Sequence, residues 1–154
     1  MNVIAFDVGV STGIALGELA PRTFPRLIAA TTIVCDFSKM ADAFKEADAF
    51  ISGHQIDMVI MEMPFATRLN DQAKKMELLR NRWLSWAEST FRNNGIPIKQ
   101  ISPSDWKPMP SGKIDVFARQ EDHVWVMRGV GATKHERDAA CMLHWVATWQ
   151  LGKA

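Results

Sequence analysis

Cysteine is scarce in this chain of 154 residues, which contains only Cys35 and Cys141. The two cysteines lie far apart in the sequence and form no C-x-x-C pair. The sequence therefore predicts neither a disulfide framework nor a cysteine-based zinc site. We expect both thiols to be buried.

Long apolar runs and an excess of charge are also missing. No window approaches the ~20 consecutive apolar residues that a membrane span requires, and the N-terminus has no basic stretch followed by a hydrophobic one. We therefore expect a cytoplasmic protein with no membrane partner. The formal net charge of +1 indicates no general attraction to polyanions.

Hydrophobic residues make up 47% of the chain, which is enough to bury the core of one globular domain, and we predict a single domain over residues 1–154. The charge is unevenly distributed within it. Residues 1–65 contain four basic and eight acidic residues, residues 66–113 nine and four, and residues 114–154 five of each. The middle third is therefore basic.

Short apolar runs alternate with segments of helical spacing, and turn or helix-stop residues close most of them. The predicted strands are Val3–Phe6, Ile14–Gly17, Leu27–Val34, Met58–Met61 and Ile96–Ile101. The predicted helices are 42–51, 69–93, a short one after Ser102, 114–127 and 134–151. We interpret the first three strands as an antiparallel meander and the fourth as a buried, parallel strand. This order predicts an α/β fold, with a mixed sheet flanked by helices.

Two acidic residues follow apolar runs. Asp7 ends the first predicted strand and is followed by a turn containing Gly9 and Gly13. Such a turn would expose the carboxylate at the sheet edge, where a cation or a phosphate could approach, although ordinary turn chemistry produces the same pattern. Glu62 ends the fourth run, where a buried carboxylate would need a partner or a metal; the alternative is an exposed residue at the end of the strand.

The final predicted helix opens with His135 and Asp138, which are three residues apart and share one helical face. The small Ala139 and Ala140 would let this helix approach the sheet closely. An acid-rich first turn can instead simply complement the helix dipole.

Together, Asp7, Glu62, His135 and Asp138 form a set of hard ligands suited to two Mg²⁺ or Mn²⁺ ions. Two such ions can activate a water and stabilise the leaving oxygen during attack on a phosphodiester. The set therefore predicts metal-dependent hydrolysis of nucleic acid.

Three motifs carry a resemblance to a known family: Asp7-Val-Gly-Val-Ser-Thr-Gly13, Val59-Ile-Met-Glu-Met-Pro-Phe65 and His135-Glu-Arg-Asp-Ala139. They resemble the acidic motifs of the RuvC-type Holliday junction resolvases of the ribonuclease H-like superfamily. The resemblance implies a ribonuclease H-like mixed five-stranded sheet flanked by helices. It also implies that four residues are catalytic and bind the metals: Asp7, Glu62, His135 and Asp138. Glu136 points off the face shared by His135 and Asp138 and is left out of this set.

The resemblance also implies that Phe65 stacks on bases at the junction centre; the alternative is a core phenylalanine. The basic middle third offers a phosphate path beside the metal site, although helical lysines and arginines are often only a solvated face. The basic DNA-contact candidates are Arg68, Lys74, Lys75, Lys107 and Lys113, with Arg80, Arg82 and Lys99 in the wider set. Lys107 and Lys113 are the preferred pair because they flank a Pro/Gly loop and match basic positions of the family.

The long helix around Leu69–Phe91 has two neighbouring apolar stripes, which is more apolar surface than one sheet would cover. We expect a homodimer packed through this helix, with two active sites facing opposed strands of a symmetric junction. The alternative is a monomer in which both stripes pack internally.

These features predict a homodimeric, Mg²⁺-dependent, structure-selective endonuclease that cuts four-way or otherwise branched DNA, in the cytoplasm of a bacterium or a phage-infected host cell. Three alternatives remain open. The chain could be a fragment of an actin-like or sugar-kinase ATPase, a junction-binding protein without activity, or a nuclease acting on RNA or DNA flaps.

Overall fold

The computed structural model describes residues 1–21, 26–62, 71–102 and 134–147. These residues form five strands and three helices. The strands are β1 (Asn2–Asp7), β2 (Ser11–Glu18), β3 (Arg26–Val34), β4 (Met58–Glu62) and β5 (Ile98–Ile101). The helices are α1 (Met40–Ile51), α2 (Asp71–Thr90) and α3 (Lys134–Trp145). Each element lies where the apolar pattern predicts it.

The strands form one sheet in the order β3-β2-β1-β4-β5. β1, β2 and β3 are an antiparallel meander, whereas β4 runs parallel to β1 and β5 parallel to β4. The predicted mixed five-stranded sheet is confirmed. The parallel pairing brings the C-terminal ends of β1 and β4 to the same edge of the sheet, so that Asp7 and Glu62 lie side by side.

The alternation of side chains along each strand gives the sheet two buried faces. On one face Val3 and Ala5 of β1 pack against α3. On the other face Ile4 and Phe6 pack against α1 and α2. Asp7 continues the first of these faces, so the strand directs its carboxylate toward the side of the sheet that α3 covers.

The apolar residues of α2 are mostly covered within the chain. Leu79, Trp83 and Ala87 are all buried, as is Phe91 directly after the helix. Trp86, which is partly buried, stacks on Phe44 of α1 with 6.0 Å between ring centroids. The prediction counted only the sheet as cover for the two apolar stripes of α2. It therefore overestimated the apolar area left for a partner protomer, because α1 packs on this helix as well. Leu78 remains 57% exposed on this helix.

Both cysteines are buried, as predicted. Burial raises the pKa of the Cys35 thiol. The predicted helices after Ser102 and over 114–127 lie outside the described residues. Within the described part of the chain, no helix combines the length and the apolar character that crossing a bilayer would need.

Candidate functional site

The candidate site is built on one row of residues that crosses all five strands. Asp7 pairs with Gly13, and Gly13 pairs with Thr32. Glu62 pairs with Ile101 and lies next to Asp7, one residue beyond the last pair of the parallel register. Residues in register on neighbouring strands point to the same side of a sheet. The row therefore presents Asp7 and Glu62 together on the face that α3 covers.

The first turn of α3 lies directly over this row. His135 Nδ1 is 3.6 Å from Asp7 Oδ2, with the Asp7 side chain 13% exposed and the His135 side chain 41% exposed. A Cβ atom added at Gly13 would lie 2.9 Å from His135 Cβ and would also collide with the His135 backbone carbonyl. Glycine is therefore required at position 13, because the backbone of α3 lies against the backbone of β2 there.

Asp138 follows His135 by three residues and is half-buried. It lies one turn before Cys141, whose pKa is raised to about 12 by burial and, secondarily, by the negative charge of Asp138. The three carboxylates and the imidazole that the sequence predicts as a set thus occupy adjoining elements. Asp7 and Glu62 are on neighbouring strands, and His135 and Asp138 are in the first turns of the covering helix.

Glu62 is only 4% exposed. Its carboxylate interacts electrostatically with the guanidinium of Arg80 on α2, which is itself 8% exposed. Burial lowers the pKa of the Arg80 guanidinium, and the carboxylates of Glu62 and Glu77 oppose that shift. A buried carboxylate is costly unless positive charge lies close to it. Arg80 is therefore part of the electrostatic surroundings of Glu62, a role that the sequence reasoning missed.

Two basic residues of the wider DNA-contact set have surroundings within the protein that the sequence does not show. Arg80 is buried, so it is not an exposed phosphate contact. The Lys99 ammonium lies 5.8 Å from the ring centroid of Trp145 in a cation–π contact. That contact does not test binding to DNA, so the DNA contact of Lys99 stays a prediction.

Among the predicted DNA contacts, Lys74 and Lys75 are exposed on α2. Lys75 also lines a cleft of about 620 Å³ together with Val10, Asp36 and Met76. Val10 belongs to the loop between β1 and β2 that follows Asp7, but the four predicted metal ligands are not among the residues that line this cleft, which also include Asp71. Four further predicted DNA contacts lie outside the described residues: Phe65, Arg68, Lys107 and Lys113.

Glu136 is a further buried acid that the sequence reasoning excluded from the site. Its side chain is 5% exposed, and its Oε1 accepts a hydrogen bond of 3.1 Å from Thr32 Oγ1. Thr32 lies at the β3 end of the row, whereas Glu62 lies beyond Asp7 in the other direction. A signal in the sequence was the threonine-rich stretch of β3, which offers hydroxyl donors to any acid on the covering helix.

The residue types of the row suit a hard divalent cation, since carboxylate oxygens are the preferred ligands of Mg²⁺ and imidazole is accepted by Mn²⁺. The buried Glu62 beside the nearly buried Asp7 favours binding of positive charge between them. Within the described ranges, however, no three His, Cys, Asp or Glu side chains are gathered closely enough to form a ligand group. Within the set, Asp7 and His135 are in contact.

No protein-family model and no curated protein sequence matches this chain. Several solved structures, including three Holliday junction resolvases, are similar to it over nearly its whole length. Thermus thermophilus RuvC in complex with Holliday junction substrate has a TM-score of 0.75 at 15% identity, with 98% of this chain and 95% of that chain covered.

The second is the fowlpox virus resolvase in complex with substrate Holliday junction DNA, with a TM-score of 0.60 at 12% identity and coverage of 92% and 97%. The third is the yeast mitochondrial Holliday junction resolvase, with a TM-score of 0.60 at 12% identity and coverage of 94% and 76%. All three share the backbone fold of this chain although their sequences are only 12% to 15% identical to it. The chain therefore has the ribonuclease H-like fold of RuvC and related Holliday junction resolvases, as its sequence motifs imply.

Proposed function

We propose that this protein is a structure-selective endonuclease that resolves four-way DNA junctions by metal-dependent phosphodiester hydrolysis, and that residues 1–154 are a single nuclease domain. The observation that carries the proposal is the row of Asp7 and Glu62 on adjacent strand ends, with His135 of α3 seated 3.6 Å from Asp7. Support comes from the fold, which is shared with resolvases whose structures hold Holliday junction DNA.

The residues that would hold two divalent ions, Mg²⁺ or alternatively Mn²⁺, are Asp7, Glu62, His135 and Asp138. The ions would supply Lewis-acid activation of a water and charge stabilisation at the leaving oxygen. The chain itself provides negative charge on two rigid strand ends. Burial of Glu62 at 4% exposure keeps bulk water from screening that charge, and the positive charge of Arg80 offsets part of it.

The test of this function is a comparison of labelled four-way, flap and linear DNA of matched sequence, each with Mg²⁺, with Mn²⁺ and with a chelator. We expect paired cuts in the four-way junction with either ion and no cutting with the chelator. Cleavage of the linear duplex at the same rate, or cleavage that persists in the chelator, would contradict the proposal. Binding of the junction with no cutting under any condition would favour a junction-binding protein, and ATP hydrolysis would favour a kinase-like ATPase.

The exposed Lys75 is proposed to contact a DNA phosphate, because it lines the cleft beside the loop that follows Asp7. Replacing it with Gln should weaken junction binding in low salt and reduce the slope of log affinity against log salt by about one per bound protomer. The measurement is a titration of labelled junction over a range of salt concentrations. Lys45→Gln, at an exposed position on α1, is the matched control, and an equal change in both variants would indicate only a general charge effect.

A homodimer packed through α2 is also proposed. Support comes from Leu78, which is 57% exposed, and from a groove of about 590 Å³ that it lines with Phe44, Arg82 and Trp86. Sedimentation of the wild-type protein at micromolar concentration should give a dimer, and Leu78→Glu should shift it to the monomer because a charge would be buried at the interface. Val34→Glu adds the same charge at a residue that is 73% exposed on β3 and should remain dimeric. A monomeric wild type would refute the dimer.

A further inference from the structure

Glu136 is a buried acid in the first turn of α3, a position where an exposed acid would already complement the helix dipole. It is instead 5% exposed, with Oε1 accepting a hydrogen bond of 3.1 Å from Thr32 Oγ1. Burying a carboxylate is costly unless its contacts compensate. A dipole role alone therefore does not explain the placement of Glu136.

The geometry of the row suggests what this contact does. Gly13 lies between Asp7 on β1 and Thr32 on β3, and strands about 4.8 Å apart put the two outer residues about 10 Å from each other. His135 and Glu136 are consecutive in the helix, so their side chains diverge around its axis. His135 reaches Asp7 on one side of Gly13, and Glu136 reaches Thr32 on the other side.

Gly13 allows α3 to approach the sheet but cannot fix its rotation, because a glycine presents no side chain to the helix. A hydrogen bond from Thr32 is directional, and the β-branched threonine has a restricted χ1 angle. We propose that Glu136 is a positioning residue whose hydrogen bond with Thr32 sets the rotation of α3 and thereby holds the His135 imidazole beside Asp7. This inference rests on the proposed function for its consequence in catalysis, but the geometry that it describes exists without DNA.

The first experiment removes the hydrogen bond from either side. Glu136→Ala and Thr32→Val should each lower the single-turnover rate of junction cleavage about tenfold, with the dissociation constant for the junction changed less than about twofold. Glu136→Gln and Thr32→Ser keep an acceptor and a donor, and they should stay within about threefold of the wild type. Thr31→Val, on the same strand but pointing to the opposite face, is the control and should leave the rate unchanged.

Two readouts separate positioning from general loss of structure. In a His135→Ala background, Glu136→Ala should cause no further loss of rate, because the residue acts through His135; additive losses would overturn the proposal. The second readout is the NMR spectrum of the histidine rings in the DNA-free protein, with His135 assigned from the spectrum of His135→Ala. The His135 ring signals should shift in Glu136→Ala and in Thr32→Val but not in Glu136→Gln.

The outcomes are distinct. If the wild type cuts no junction, the proposed function fails, while the ring signals still decide whether Glu136 positions His135. If Glu136→Gln loses as much activity as Glu136→Ala, the carboxylate acts through its charge or as a ligand, and the positioning role is overturned. Unchanged His135 signals in both Glu136→Ala and Thr32→Val would also overturn it. If Glu136→Ala does not fold, Thr32→Val carries the test.

Discussion

Replacing Asp7 with Asn is expected to abolish cleavage of a four-way junction while leaving the fold and junction binding intact. Asp7 lies in the row between Gly13 and Glu62 and faces His135 at 3.6 Å. Asn has nearly the same shape, but it carries no charge and has only one oxygen atom that can bind a metal. It therefore cannot replace a carboxylate as a ligand for a hard cation. We expect the cleavage rate to fall by at least about a hundredfold, the scale of losing one preorganised electrostatic group.

The same substitution should not lower the melting temperature. Asp7 and Glu62 are like charges on adjacent strand ends, and neutralising one of two neighbouring carboxylates relieves repulsion between them. Thermal unfolding and junction binding should therefore match the wild type while cutting is lost. Asp42→Asn makes the same chemical change in the first turn of α1, at an exposed position, and should cut at the wild-type rate. Undiminished cutting by Asp7→Asn would remove Asp7 from the catalytic set.

The strand ends that carry Asp7 and Glu62 could be predicted because they depend on a local pattern. The apolar run before Glu62 is too short for a helix and too continuous for a half-exposed strand, which predicts a buried parallel strand, whereas the run before Asp7 predicts the first strand of the antiparallel meander. The carboxyl ends of parallel strands share one sheet edge, so the two acids had to meet if the pairing was right. The register of β1 with β4 confirms that pairing.

The surroundings of these acids could not be predicted, because they depend on which side of a helix faces the protein. Arg80 and Glu136 are charged residues in helical segments, and sequence patterns assign such residues to solvent. Arg80 is buried near Glu62, and Glu136 is buried against Thr32. Each contact joins residues far apart in the chain, and no periodicity within one segment encodes it.

The apolar surface of α2 was overestimated for a related reason. The two stripes of this helix were compared with the area of one sheet, but Phe44 of α1 also packs against Trp83 and Trp86. The centroid of the Phe44 ring lies 5.2 Å from that of Trp83, so part of the stripe that contains Trp83 and Trp86 is covered by another helix. Leu78 belongs to neither stripe and is 57% exposed, so the proposed dimer would use the surface around it.

Substituting Gly13 with Ala is expected to damage both stability and cleavage. The added Cβ would meet the backbone of His135, including its carbonyl, and backbone atoms cannot rotate away as a side chain can. The first turn of α3 must then move off the sheet, which separates His135 from Asp7 and Glu136 from Thr32. Overpacking of this kind typically costs about 1–3 kcal/mol, and we expect the cleavage rate to fall at least about tenfold because His135, a proposed metal ligand, is displaced from its place beside Asp7.

Gly17→Ala supplies the matched control for this effect because it changes the same strand beneath the same helix. Its added Cβ would approach Leu143 Cδ1 at 3.0 Å, which is the end of a flexible side chain that can adopt another rotamer. Urea unfolding should show a lower midpoint with an unchanged slope for Gly13→Ala and a smaller change for Gly17→Ala, and only the first should lose cleavage. If the two variants lose equal stability and activity, the close seating of α3 on Gly13 is not what assembles the site. If Gly13→Ala loses stability but cuts normally, cleavage does not require His135 beside Asp7. The proposed catalytic residues would then be the three carboxylates alone.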